Sequence, residues 1–304
     1  MAHLFIYITL FLLCLLSLTI LRTTTREWRR QIVYRWRIRR NEAFWASIKI
    51  TERLPSKIRI VASLTTSPSR LNQIEPVLKS LTVGQTRPPD EIHLNLPHEF
   101  NRTRQEYIIP DFISQYPVKI FRVNDLGPAT KLVPTILRIP DPETWILTVD
   151  DDVRHLPNAI ENLEAAAIAD PNVAYGYSDY ALWRKKESAG RVDFLAGYGG
   201  CLYRRGFFAE DFLPYFSKAI SRTSCLFQDD IVISTYLSLK DISRQRLALP
   251  NCNIKLMKHR GCMLEHAGGA DALSHGAGSG MRTKERSLDA INFLRENKFF
   301  MEAK

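Results

Sequence analysis

Only five of the 304 residues are cysteine, and no two of them stand at metal-ligand spacing. That argues against a structural zinc module. Cys14 falls in an apolar N-terminal run, while Cys201, Cys225, Cys252 and Cys262 lie further on, an even number that permits disulfides in a lumen. No internal repeat is present, which sets aside repeat architectures. The first residues carry no Lys or Arg, and no small-residue cleavage site follows the apolar run, so a removed secretory signal is not expected. Nor does a Gly-rich, Lys/Arg-bearing phosphate loop follow the first expected strand.

What is present begins with Leu4 to Leu21, uncharged and dominated by Leu, Ile and Phe. Its length is at the short end for a membrane span, and residues 1–21 are expected to form a transmembrane anchor. A basic stem follows over residues 22–55. It carries Arg22, Arg26, Arg29, Arg30, Arg35, Arg37, Arg39 and Arg40, interleaved with Trp28, Tyr34 and Trp36 and offset by Glu27 alone. Arg and Trp beside a span suit an interfacial segment on anionic headgroups. By the positive-inside rule this collar would keep the rest of the chain in the cytosol. It also accounts for most of the net charge of +10, so nucleic acid is not an expected partner. Residues 56–304 are enough for one α/β domain.

Within that domain Trp145-Ile146-Leu147-Thr148-Val149 reads as a strand buried on both faces, and it ends in Asp150-Asp151-Asp152. Three adjacent charges cannot be hidden in a core, because an unpaired buried carboxylate costs many kcal/mol. They belong at the strand's end, in a crevice beside something positive, where open α/β sheets bind ligands. Extended backbone would point Asp150 and Asp152 one way and Asp151 the other. Hard oxygen ligands spaced like this suit Mg²⁺ or Mn²⁺, which would in turn hold phosphates. The alternative is a polar turn whose acids cap the next helix.

Ile58 to Leu64, a helix over 71–81 and a strand from Glu91 to Leu96 make a βαβ unit, hence a parallel sheet; Val118 to Val123 is the expected third strand. Thr65-Thr66-Ser67-Pro68-Ser69-Arg70 leaves the first strand on its ligand side, with Ser67 as a helix cap and a solvated Arg70 as the alternative. Gly127-Pro128-Ala129-Thr130-Lys131 follows the third, and a Lys at the mouth of a short helix favours phosphate, though a surface cation is the bland reading. Past the Asp triplet come a helix over Ala159–Ala169 and a strand from Val173 to Tyr177. Tyr175, Tyr177, Tyr180 and Trp183 suit either a sugar face or the core. The glycines of Gly197-Tyr198-Gly199-Gly200 permit close backbone approach or positive φ. Asp229 and Asp230 open a helix, where capping is again the alternative. A last strand pair is expected within 244–256, a mobile lid over the Gly/Ala/Ser-rich stretch 268–280, and a closing amphipathic helix over 286–300. Asn101-Arg102-Thr103 is a glycosylation sequon that matters only in a secretory lumen.

Taken in order, Thr65-Thr66…Arg70, Asp150-Asp151-Asp152, Gly199-Gly200…Arg204 and Asp229-Asp230 give the stretch from about Ile58 to Gly280 a resemblance to the GT-A glycosyltransferases, family 2-like members of the nucleotide-diphospho-sugar transferase superfamily. The resemblance implies a Rossmann-like α/β fold with a mixed, mainly parallel sheet flanked by helices. It implies transfer of a sugar from a UDP- or GDP-sugar donor to a glycan or other hydroxyl acceptor, with Mn²⁺ or Mg²⁺ as cofactor. Asp150, Asp152 and His266 would hold the metal, His275 competing with His266. Thr66, Arg70, Lys131, Asp150, Asp151, Gly200 and Arg204 would contact nucleotide or donor. Asp230, or its neighbour Asp229, would orient or deprotonate the acceptor hydroxyl. The resemblance also implies a single-pass protein of a Golgi- or ER-type membrane, if eukaryotic, with its domain in the lumen; the collar's charge favours the opposite orientation. Two rivals stand beside it. An inactive scaffold would have little reason to keep both acidic clusters, and a nucleotidyltransferase on a similar sheet would want the missing phosphate loop.

Overall fold

Ile60-Val61-Ala62-Ser63-Leu64 forms β1 (Ile60–Leu64), wholly buried, as befits an apolar run without polar alternation. A computed structural model describes residue 17, residues 42–179 and 190–248, residue 264, residues 280–281 and 283–297, and residue 299. The chain separates into two compact units, residues 1–48 and 49–304. In the first, residues 42–47 are helical and Ser47 donates to the Phe44 carbonyl at 2.7 Å. The expected anchor, apart from Ser17, and the collar lie outside the described residues. Among the described residues no helix is long and apolar enough to cross a membrane.

In the second unit β2 (Glu91–Pro97), β3 (Val118–Val123) and β4 (Trp145–Thr148) run parallel to β1, with β1 between β2 and β4 and β3 outermost. With β5 (Val173–Gly176), β6 (Gly190–Arg191), β7 (Cys201–Arg204) and β8 (Ser243–Arg246), the described residues form an eight-stranded sheet in the order β3-β2-β1-β4-β7-β5-β8-β6. β7 is antiparallel to β4 and β5, and β6 to β8, whereas β5 and β8 are parallel. The sheet is therefore mixed and mostly parallel.

The helices are α1 (Glu75–Leu81), α2 (Val133–Arg138), α3 (Ala159–Ala169), α4 (Phe212–Ala219), α5 (Thr223–Leu226), α6 (Asp229–Leu239) and α7 (Thr283–Glu296). The single helix expected over 71–81 is two pieces, a 3-10 turn at Leu71–Gln73 and then α1. Pro76 sets the break, since proline suits a first helical turn but would clash with the carbonyl four residues back in a continuous helix. The sequence reading did not anticipate β6, β7 or α4. α4 and α6 are joined by aromatic rings, Phe212 lying 4.8 Å from Phe208 and 4.9 Å from Tyr236, both edge-to-face. Cys201 and Cys225 are buried and free. Cys252, Cys262, Tyr180, Trp183, the end of the last expected strand pair and nearly all of the expected lid lie outside the described residues.

One buried ion pair ties the start of the sheet together. Arg87, fully buried, donates through Nε to Glu164 on α3 at 2.9 Å and through Nη2 to Asp90 at 3.0 Å. The same Glu164 oxygen accepts the backbone N–H groups of Lys57 and Ile58. Removing one partner of a buried pair strands the other charge. Glu164→Gln is expected to lower the free energy of unfolding by about 3 kcal/mol, read as a lower urea midpoint at unchanged slope.

Candidate active site

The register of two parallel strands builds the site. Ser63 of β1 faces Thr148 of β4, and Val149 N–H donates to the Ser63 carbonyl at 3.0 Å. The chain therefore leaves both strands at one sheet edge, bringing the 65–70 loop beside the Asp triplet, as the carboxyl ends of α/β strands do. Thr66 Oγ1 donates to Asp151 at 2.5 Å, and Tyr107 OH donates to the Thr66 carbonyl at 2.8 Å. Arg70 bridges Asp151 at 3.1 Å and Asp152 at 3.3 Å. Lys131 closes a 3-10 turn (Ala129–Lys131) before α2 and donates through Nζ to Asp150 at 2.9 Å.

The second acidic cluster arrives from a distant part of the chain. Asp229 and Asp230 occupy the first turn of α6, where the helix dipole favours negative charge. Asp229 lies 3.4 Å from Lys131 Nζ, and Asp230 accepts the Gly197 N–H at 2.8 Å. A Cβ at position 197 would stand 2.8 Å from Lys131 Nζ and 2.9 Å from Asp230 Oδ1, so any side chain there would push these two groups out of place. Arg70 and Lys131 are cations in contact with this group of carboxylates.

The electrostatics follow from these contacts. Burial works against the charge on Lys131, but Asp150, Asp229 and Asp230 more than offset it and hold its pKa well above the ordinary value. Burial, then repulsion from Asp150 and Asp151, pushes Asp152 up to about 7 despite Arg70. Burial and Asp229 push Asp230 up to about 7, against Lys131 and the Gly197 N–H. The raised pKa values of Asp152 and Asp230 mark hard oxygen donors crowded together in a buried place. Among the described residues no group of three His, Cys, Asp or Glu side chains could hold a metal ion alone. The crowded carboxylates suit Mg²⁺ or Mn²⁺, which commonly take one or two carboxylates and fill the rest of the shell with water and substrate phosphate.

Thr66, Arg70, Lys131, Asp150, Asp151, Asp152, Asp229 and Asp230 are thus brought together. The expected alternation of the triplet is not what forms: β4 stops at Thr148 and the chain turns at 151–152, so Asp151 and Asp152 share Arg70 while Asp150 faces Lys131. Arg204 does not join the group. Because β7 is antiparallel to β4, Arg204 pairs in register with Trp145, at the opposite end of the strand from the triplet, and its side chain meets Glu143. Gly200 lies at the site end of β7 with φ +85°, a conformation that favours glycine. His266 and His275 lie outside the described residues.

Three contributors escaped the sequence reading: the Gly197 N–H, the Tyr107 hydroxyl and His155. His155 is buried against Gly200, burial pushes its pKa down to about 4, and its Nε2 has no hydrogen-bond partner among the described residues. Gly197 carried a signal, as the first of a glycine run that leads directly into a strand.

A carboxyl that binds its proton more tightly when folded stabilises the fold below its ordinary pKa, 3.8 for Asp152, and that contribution is lost as pH climbs through about 7. Asn mimics the protonated form at every pH. In chelator, Asp152→Asn is expected to be more stable than the parent at pH 8, with the gain shrinking toward pH 5, as measured by thermal melts across that range.

No protein-family model matches the chain, and no curated protein sequence matches it. Several solved structures resemble it loosely. TarS 1-349 from S. aureus in complex with UDP is 15% identical with a TM-score of 0.43, over 63% of this chain and 58% of that one, so this chain spans less than two thirds of it. The mannosyltransferase PcManGT from Pyrobaculum calidifontis, in complex with GDP-Man and Mn²⁺, is 11% identical with a TM-score of 0.37, over 71% of this chain and 62% of that one. A 4-diphosphocytidyl-2C-methyl-D-erythritol synthase from Anaerococcus prevotii is 15% identical with a TM-score of 0.43, over 78% of this chain and 96% of that one. All three scores lie below 0.5, and the functional reading rests on the site's own geometry.

Proposed function

We propose that the chain is a metal-dependent glycosyltransferase that moves a sugar from a UDP- or GDP-sugar to a glycan or other hydroxyl acceptor, anchored to a membrane through residues 1–21. The observation that carries this is the convergence of two acidic clusters, Asp150–Asp152 and Asp229–Asp230, on one buried lysine at the carboxyl edge of the sheet. Asp150 and Asp152 would hold Mn²⁺ or Mg²⁺, with His266 a further candidate ligand. When bound, the metal neutralises charge on the nucleoside diphosphate leaving group.

The chain's own residues do the rest. Thr66 and Arg70, at the end of β1, fix Asp151 and the wall against which the nucleoside lies. Lys131 supplies a buried positive charge toward the diphosphate, where low dielectric strengthens it. Asp230 orients the acceptor hydroxyl and takes its proton; a pKa raised to about 7 suits a base working near neutral pH. The Gly197 N–H keeps that carboxylate in place. The same acidic edge would also serve nucleotidyl transfer, but the loop over 65–70 contains no glycine to wrap a triphosphate.

Calorimetry with UDP and GDP, with and without Mn²⁺, tests the reading. Metal-dependent binding of one diphosphate, weakened by more than about tenfold in Asp152→Ala, is expected. A folded chain that binds neither under any condition would instead be a scaffold. For Asp230→Asn, donor binding should stay within about twofold while transfer falls by roughly 10²- to 10⁴-fold; parallel losses of binding and turnover would remove Asp230 from the role of base.

A further inference from the structure

We infer that Ser63, Asn95 and Thr135 are positioning residues for Lys131, a buried one-way hydrogen-bond relay that fixes the turn from which the lysine meets the donor's phosphates. The inference rests on the proposed reading of Lys131 and concerns groups that touch neither metal nor substrate. All three are completely buried, on β1, β2 and α2 respectively. Ser63 Oγ donates to the Lys131 carbonyl at 2.5 Å. Asn95 Nδ2 lies 3.0 Å from Ser63 Oγ and 3.0 Å from Thr135 Oγ1, and those two hydroxyls are 2.7 Å apart. Arg138 donates to Asn95 Oδ1 at 3.2 Å.

These contacts have one consistent direction. A guanidinium can only donate, so the Asn95 oxygen must face Arg138 and its two N–H groups must face the hydroxyls. Ser63 has a single proton, which goes to the carbonyl, so Thr135 donates to Ser63. Every donor is then used once, and the chain of bonds runs from Arg138 to Lys131. Arg138 donates on its other side as well, so the relay starts from it. Burial lowers the pKa of His93, leaving a neutral ring whose Nδ1 can accept from Arg138 at 3.3 Å.

Stability alone does not account for the arrangement. The neighbours of Ser63 in β1 are apolar and fully buried, and apolar side chains of matching shape at all three positions would avoid desolvating two hydroxyls and an amide. What the trio delivers is a bond to the backbone of Lys131, whose Nζ is pulled by Asp150 from β4 and by Asp229 from α6. A side chain tugged from two sides is placed by its backbone, and small displacements of such groups are costly to catalysis.

The full chain is titrated with UDP, GDP and the parent nucleosides at saturating Mn²⁺. Ser63→Ala and Thr135→Val are each expected to weaken the bound diphosphate by about tenfold, while nucleoside affinity changes by less than about twofold and Thr135→Ser, which keeps the hydroxyl, restores diphosphate binding. Should Ser63→Ala fail to fold, Thr135→Val and Thr135→Ser decide alone. Equal losses for diphosphate and nucleoside would mean a merely structural trio and overturn the inference, as would unchanged diphosphate affinity in folded variants. If the parent chain binds neither diphosphate, the proposed function fails and takes this inference with it; if it binds and only the variants disagree, the function stands.

Discussion

A buried ammonium shared by carboxylates from two distant segments is the contact on which the site depends. The carboxylates of Asp150, Asp229 and Asp230 come from the end of β4 and the start of α6, nearly eighty residues apart in sequence. Without Lys131 among them, their mutual repulsion would favour separation of those elements. Burial alone would strip the lysine of its proton, and the acids alone would be too crowded to ionise; each makes the other's charge tolerable. The crowding of carboxylates at one edge is what gives that edge its chemistry, since preorganised charge in a partly dry crevice attracts its complement strongly.

Much of this frame could be read from residues. β1, β2, β3 and β4 announce themselves as apolar or β-branched runs cut by turn residues, and the physics is local. The triplet Asp150–Asp152 had to lie at a strand end because nothing else can accommodate three neighbouring charges. The convergence of Thr66, Arg70 and Lys131 on it follows from parallel topology. What was not legible depends on register and strand direction. Cys201–Arg204 is too short and mixed to declare itself a strand, and only its antiparallel pairing reveals that Arg204 points to the wrong end of β4. The splitting of the triplet between Arg70 and Lys131 likewise depends on where β4 stops. The Gly197 N–H is a backbone donor, invisible to any reading of side chains.

The relay through Ser63, Asn95 and Thr135 shows how the sheet itself takes part in the site. Polar residues in the middle of an otherwise apolar parallel strand look like defects in a sequence pattern. Here they are satisfied in full, by one another, by Arg138 and by the Lys131 carbonyl, which is the condition under which a buried polar network specifies a structure rather than weakening it. Arg87 and Glu164 do comparable work near the start of β1, joining Lys57, Ile58 and α3 through one carboxylate.

The outermost strand carries a different consequence. Among the described residues β3 is an edge strand, and Lys119 and Arg122 stand exposed along it. Charged side chains along an edge deny a second molecule the flat template that intermolecular strand addition requires. The β3 border is thereby disfavoured as a place for a second copy to add a strand.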